Sequence, residues 1–340
     1  MKWTNLVMAV TLVGGATTAW YFVARPGVEV SAQPKPIEPA QIAARDQFAE
    51  DRAPELPKPL PFDAARAMKY LELLCKIGPR ISGSDGMAEQ QRILKQHFES
   101  LGAKVAMQRF VAKQPTVKRD VECHNMIVTW HPERKRRVIF CGHYDTRPLA
   151  DQEPQRRDWT KPFVSANDGT STVAWMMELA HQFKEFNPEV GIDFVIFDAE
   201  EFLYDRDAGD RYFLGSEHFA KTYQQQKPEH QYIAAILLDL FAGKGATYPM
   251  EGNSRFLAGA LLEDVYRVAY ALKAKSFVWE PGQEVLDDHL ALNKVGIPAI
   301  DLIDFSYTHW HKLSDVPENC SGEAMAEVAK VLTVWVQRLK

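Results

Sequence analysis

The sequence predicts an α/β fold with a mixed, mostly parallel central sheet and helices on both faces. Three observations lead to it. Strand-like and helix-like segments alternate along the chain after residue 62, the order that builds parallel strands joined by helical crossovers. The segment RVIFC is continuously apolar, as a strand covered on both sides is. The core strands also run out into polar, ionisable residues, and open α/β sheets place their sites at the carboxyl ends of strands.

Residues 62–78 have helical apolar spacing, with Asp63 near the start and Gly78-Pro79 at the end. Residues 86–101 form a second amphipathic helix closed by Gly102. Residues 103–111 and 125–130 alternate like strands, and 137–141 is the short apolar strand. Residues 170–183 read as helix, 192–197 as strand, 214–224 as helix and 232–238 as strand. A long helix over 255–274, a strand over 299–303 and a closing helix over 322–339 complete the order. No internal repeat is visible.

The 340 residues are 46% hydrophobic and 25% charged, with 19 glycines and 20 prolines. These are values of a folded protein, neither collagen-like nor wholly disordered. Forty basic against 45 acidic side chains leave −5, which offers no general attraction to a phosphate backbone and argues against nucleic-acid binding. Cys75, Cys123, Cys141 and Cys320 include no CxxC pair, which excludes a zinc ribbon and a thioredoxin-type motif. Four cysteines are too few for a disulfide scaffold; one disulfide stays open, with no pair selected.

Residues 1–25 form a membrane anchor or a signal peptide. The uncharged run from Asn5 to Ala24 follows Lys2 and carries Trp20 and Tyr21, long enough for one helical span with an aromatic interface. A cleaved signal with its site near Ser31-Ala32 is the rival reading. Either one exports the chain, to the periplasm, the cell surface or the medium. Residues 26–61 are a Pro-rich linker, and 62–340 are the folded body. Oligomeric state is left open.

At the strand ends stand Gly142-His143-Tyr144-Asp145, then Asp198-Ala199-Glu200-Glu201, then Asp239, then Thr308-His309-Trp310-His311, with Asp168 between the first two. Taken singly, each has a plainer explanation. Asp168 reads as an N-cap worth about 1 kcal/mol, Glu200-Glu201 as a solvated loop, His311 as a loop histidine, and Asp239 and Asp287 as turn residues. Together they converge on one rim, where carboxylates repel unless a cation holds them. Histidine with carboxylates and no cysteine suits catalytic zinc, with three protein ligands and an open position. Asp205, Asp207 and Asp210 have a spacing that admits calcium, but an exposed loop is the preferred reading.

At these residues the sequence resembles the zinc peptidase family 28 superfamily, which includes aminopeptidases and glutaminyl-peptide cyclotransferases. The resemblance runs in order through GPRISGS, HNMIV, GHYDT, ANDGT, DAEEF, LLDL, DDHLALNKVGIPAI and THWHKLSD, covering residues 62–340. It implies a zinc-aminopeptidase-like (phosphorylase/hydrolase-like) fold. It also implies zinc on Asp168, Glu201 and His311, with Glu200 as general acid/base. In two-metal aminopeptidases His143 and Asp239 would complete a second site, with Asp168 bridging. LLDLF, Asp287-Asp288-His289 and Trp310 before His311 look more like the cyclotransferase branch; ANDGT looks more like the aminopeptidases. A Trp that animal cyclotransferases carry shortly after the Glu pair is replaced by Phe202-Leu203-Tyr204-Asp205.

The cyclotransferase reading implies one zinc ion and a substrate that is a peptide or protein with N-terminal glutamine, cyclised to pyroglutamate with loss of ammonia. Glu200 would move the proton, Asp287 would hydrogen-bond the reacting amide, Asp239 would complete the acidic network and Trp310 would form an apolar wall. The aminopeptidase reading implies two zinc ions and a water prepared by Glu200. A catalytically silent, anchored binding domain is the third reading, opposed by the retention of Glu200 and every ligand position.

Overall fold

The computed structural model describes residues 56–340. The anchor or signal expected over 1–25, and the linker up to residue 55, lie outside the described residues. Among the described residues, no helix is long and apolar enough to cross a membrane. Leu56, Leu60 and Phe62 pack against the core, and Leu60 N–H donates to Thr333 Oγ1. The end of the Pro-rich stretch is thus tied to the closing helix.

Helices α1 (Ala64–Cys75) and α2 (Asp85–Ser100) precede three strands, β1 (Lys104–Ala112), β2 (Val121–Trp130) and β3 (Arg136–His143). Helix α3 (Ser171–Leu179), strand β4 (Gly191–Phe197), helix α4 (Leu214–Gln226) and strand β5 (Gln231–Asp239) follow. Then come β6 (Tyr248–Met250), α5 (Gly252–Ala271), β7 (Phe277–Pro281), α6 (His289–Lys294), β8 (Ala299–Ile303) and α7 (Gly322–Gln337). Asp63 and Ser84 cap α1 and α2 by accepting from Arg66 N–H and Met87 N–H, which explains why those two starts are abrupt.

The main sheet has the order β1-β2-β4-β3-β5-β8. β3, β4, β5 and β8 are parallel neighbours, while β1 and β2 join antiparallel at one edge. The mixed, mostly parallel sheet is therefore as expected. Its strands divide their side chains by alternation. Phe140, Phe194, Ile196, Ile236 and Leu302 enter one core with α1, α2, α3, α5 and α7. Ile139, Cys141, Val195, Phe197 and Leu237 enter the other with α4 and α6. Both faces of the central parallel strands β3, β4, β5 and β8 are covered, so these strands are almost entirely buried. All four cysteines are buried and free.

Parallel β6 and β7, a separate two-stranded sheet, were not expected. They are only three and five residues long, too short for a periodic pattern to register. The turn Ala166–Thr170 was also unforeseen: it leaves helical geometry at Asp168 and Gly169, so α3 begins only at Ser171.

At the amino ends of β3 and β4, opposite the rim, Arg137 and Asp193 form a buried fork. Arg137 Nε and Nη2 donate to the two Asp193 oxygens at 2.8 Å each. Tyr232 OH donates to the same carboxylate, and Trp130 and His131 carbonyls take further guanidinium protons. Removing one partner strands a buried charge, which is worth about 3–5 kcal/mol. Asp193→Ala is expected to lose that much in urea unfolding; a loss under about 1 kcal/mol would contradict the assignment.

Candidate active site

Four parallel strands deliver their last residues to one rim. His143 ends β3, Asp198-Ala199-Glu200-Glu201 follows β4, Asp239 ends β5, and the loop after β8 brings Trp310 and His311. Three sets of side chains offer ligand atoms within 4.8 Å of one another: Asp168, Glu201 and His311; His143, Asp168 and Asp239; and His143, Glu200 and Glu201. Every residue expected as a metal ligand is in this cluster. Asp287 is buried beside it, close enough for the Asp239 charge to act on it.

The plainer readings do not hold at these positions. Asp168 is not the cap of α3; it is 2% exposed and faces His143, whose Nε2 lies 3.0 Å from Oδ1. A cap is worth about 1 kcal/mol, whereas burying a carboxylate costs several, so capping cannot account for its burial. Glu200, Glu201 and His311 are buried, not solvated. Asp210, expected in an exposed loop, is also buried. Its carboxylate accepts from Tyr204 N–H, Asp205 N–H and Thr116 N–H, so it organises the loop; Asp205 and Asp207 are exposed as expected.

The close packing depends on local backbone. Gly169 has φ +77°, and a Cβ there would come within 2.6 Å of the His143 ring. Ala199, Leu240 and His311 also have positive φ, uncommon for residues with a Cβ and typical of over-determined functional loops. Asp145 holds the glutamate turn by accepting Glu200 N–H and Glu201 N–H at 3.0 Å each. Asp315 accepts Asn167 N–H and Asp168 N–H, at 2.9 and 3.2 Å. Ser82 Oγ donates to Asp198, which also accepts His124 N–H, so three separated sequence motifs meet at one carboxylate. Sequence reasoning assigned no role to Asp145, Asp198 or Asp315. The available signals were their places in GHYDT, DAEEF and HKLSD.

These residues fit a divalent metal. Asp168 Oδ2, Glu201 Oε2 and Asp239 Oδ1 are buried and accept no hydrogen bond, a costly state for carboxylate oxygens. His143 Nδ1 lies 3.1 Å from the Asp145 carbonyl, which leaves Nε2 turned towards Asp168 and Asp239. One imidazole nitrogen held by the backbone and the other turned to the carboxylate oxygens is the arrangement of a ligating histidine. Oxygen and nitrogen donors without sulfur suit zinc in an open site.

Burial, reinforced by Glu201, pushes Asp168 up to about 7. Burial also raises Asp288 to about 7 and carries Glu200, Asp287 and Asp301 well above the carboxylate range. Burial opposes the charge on His143, but Asp145, Asp168 and Asp239 raise it well above the usual histidine value. Glu201 and Asp151 likewise outweigh burial at His311, which rises to about 9.

Peptidase family M28 matches residues 125–336. A glutaminyl cyclase from Fimbriiglobus ruber, solved by crystallography, is 50% identical with a TM-score of 0.83, over 85% of this chain and 100% of that one. Glutaminyl-peptide cyclotransferase of Bos taurus is 26% identical, over 76% of this chain and 77% of its own. A leucine aminopeptidase precursor from Bacteroides thetaiotaomicron is 27% identical with a TM-score of 0.75, over 85% of this chain and 100% of that one.

In the metal-free chain the raised groups act in one direction, while Glu201 and Asp151, held low by their cationic neighbours, act the other way and only at acidic pH. A carboxyl raised on folding binds protons that the unfolded chain has released, so stability falls as pH rises from about 4 to about 7. The raised histidines stabilise below about 6.5, and His311 loses its contribution as pH rises through about 9. The melting temperature of chelator-treated protein should therefore fall steadily across that range, and added zinc should remove most of the fall. A flat or rising profile without metal would contradict the arrangement.

Proposed function

The chain belongs to peptidase family M28, among the glutaminyl cyclases, and from that premise we propose that it is a zinc-dependent glutaminyl-peptide cyclotransferase. Its substrate is a peptide or protein beginning with glutamine, and its products are an N-terminal pyroglutamate and ammonia. The observation that carries this reading is the Glu200-Glu201 pair. Burial, together with the Glu201 charge, keeps the Glu200 carboxyl well above its usual value. Glu201 is equally buried, yet His311 and Arg147 hold it below. Two adjacent carboxyls pushed apart in this way divide between proton transfer and charge, the pattern of an acid/base residue beside a ligand.

Asp168, Glu201 and His311 would hold one zinc ion, whose chemistry is to polarise the side-chain amide carbonyl and stabilise the negative charge that develops on its oxygen. The reacting nucleophile is the substrate's own α-amine, so the protein needs to supply none. Its nitrogen bonds to the side-chain carbonyl carbon, closing a five-membered ring. Glu200 takes the proton the amine releases and delivers it to the departing amide nitrogen, which leaves as ammonia when its C–N bond breaks.

Asp287, whose carboxyl burial and the charges of Asp239 and Asp288 raise well above the usual range, can hydrogen-bond the reacting amide, with Asp239 completing the acidic network. Trp310 stands 3.9 Å, centroid to centroid, from the His311 ring and 5.0 Å from Phe305. With Leu240, Val285 and Ile303 these rings make an apolar wall beside the carboxylates, which would exclude water during ring closure.

A second reading, hydrolysis of N-terminal residues with two zinc ions, is favoured by one observation: His143, Asp168 and Asp239 also converge within 4.8 Å. The uncharged run before Arg25 supports an exported protein held at the membrane or secreted, acting on peptides outside the cytoplasm.

Purified chain incubated with glutamine-initiated peptides should release ammonia, with a mass loss of one ammonia per peptide and about one zinc per chain. Glu200→Gln should lower kcat by about 10²–10⁴-fold while retaining the zinc. Unchanged turnover would remove Glu200 from the mechanism. Amino acids freed from leucine- or alanine-initiated peptides, with two zincs per chain, would establish the second reading instead.

A further inference from the structure

The loop that follows β3 carries two charged residues outside the roles assigned so far. Arg147 is 6% exposed, and its Nε and Nη2 both donate to the Asp151 carboxylate, Nε at 3.0 Å to Oδ1 and Nη2 at 2.5 Å to Oδ2. Asp151 Oδ1 in turn lies 3.0 Å from His311 Nδ1. The third guanidinium nitrogen, Nη1, is buried without a hydrogen-bond partner and stands 3.8 Å from Glu201 Oε1. The guanidinium carbon also lies 5.4 Å from the centre of the Tyr212 ring. One buried cation therefore reaches two of the three residues assigned to the metal, one through a carboxylate and one directly.

The two loops are joined by their backbones as well. Gln152 N–H donates to the His311 carbonyl at 3.2 Å, and Leu313 N–H donates to Glu153 Oε1 at 2.9 Å. His311 itself has φ +53°, so its orientation depends on what surrounds it.

We infer that Arg147 and Asp151 are a positioning pair for the zinc site. Asp151 fixes the His311 tautomer and ring orientation, leaving Nε2 for the ion, and Arg147 locks Asp151 while offsetting the surplus charge at Glu201. This inference rests on the zinc reading above. Chemically, a carboxylate on the far nitrogen of a ligating histidine holds its orientation and raises its basicity. The planar fork of arginine makes two parallel bonds to that carboxylate, which lysine cannot reproduce.

The test measures zinc affinity of the full chain by competition with a chromophoric chelator, alongside the melting temperature of the metal-free form. Asp151→Asn should weaken zinc binding about 10–100-fold, more than is explained by the lower metal-free melting temperature that follows when Arg147 and His311 lose their charged partner. Arg147→Lys, which keeps the charge and loses the fork, should fall between the two. Zinc affinity within about twofold of the parent in both variants would overturn the inference, and so would an equal loss of metal-free stability and affinity, which marks a purely structural role. Failure of the zinc reading itself is separate and visible in the parent, which would then bind no zinc.

Discussion

The structure depends on a concentration of buried negative charge at the carboxyl ends of its parallel strands. Asp168, Glu201, Asp239, Asp287 and Asp288 crowd one rim with two histidines. Carboxylates at this separation in a poorly solvated place repel one another strongly, and several leave buried oxygens without a hydrogen bond. A divalent cation held there would resolve both problems at once. The protein's own contribution is to hold the donors in place before the ion arrives, and that makes the site a tool for chemistry and not a source of stability.

Much of the remaining architecture serves that holding. The parallel strands bring most of the donors to one end of the sheet. Asp145 and Asp315 use their carboxylates on backbone N–H groups, clamping the glutamate turn and the Asp168 turn respectively. The same acid that would be a liability when unpaired is here a rigid acceptor. Gly169 permits the turn to touch the His143 ring. Against this polar floor stands the apolar pair of Trp310 and Phe305.

The fold was legible because its long elements carry strong periodic signals, and ten or more residues of amphipathic helix are hard to mistake. What escaped, β6, β7, the short helix α6 and the Ala166–Thr170 turn, is set by tertiary contacts too short to leave a pattern. The site was legible for a different reason: His143, Asp239 and the Glu200-Glu201 pair stand at or just after the ends of apolar strands, where a polar residue would otherwise have no cause to be, and Asp168 and His311 stand in the connecting loops beside them. Asp145, Asp151, Asp198 and Asp315 were not, since their function lies in a backbone amide or a distant histidine that only the folded chain brings near. The misjudged Asp210 belongs with them. An acidic loop looks solvated from its composition, and only the inward turn of Tyr204 and Asp205 towards that carboxylate shows otherwise.

Anomalous diffraction at the zinc edge, on crystals of the protein as purified, tests the central claim most directly. The account predicts one strong peak among Asp168, Glu201 and His311, with nothing comparable between His143 and Asp239. A peak between His143 and Asp239 as strong as the first would contradict the one-ion account, and a site without any peak in zinc-supplied crystals would contradict the claim that a cation holds these carboxylates together.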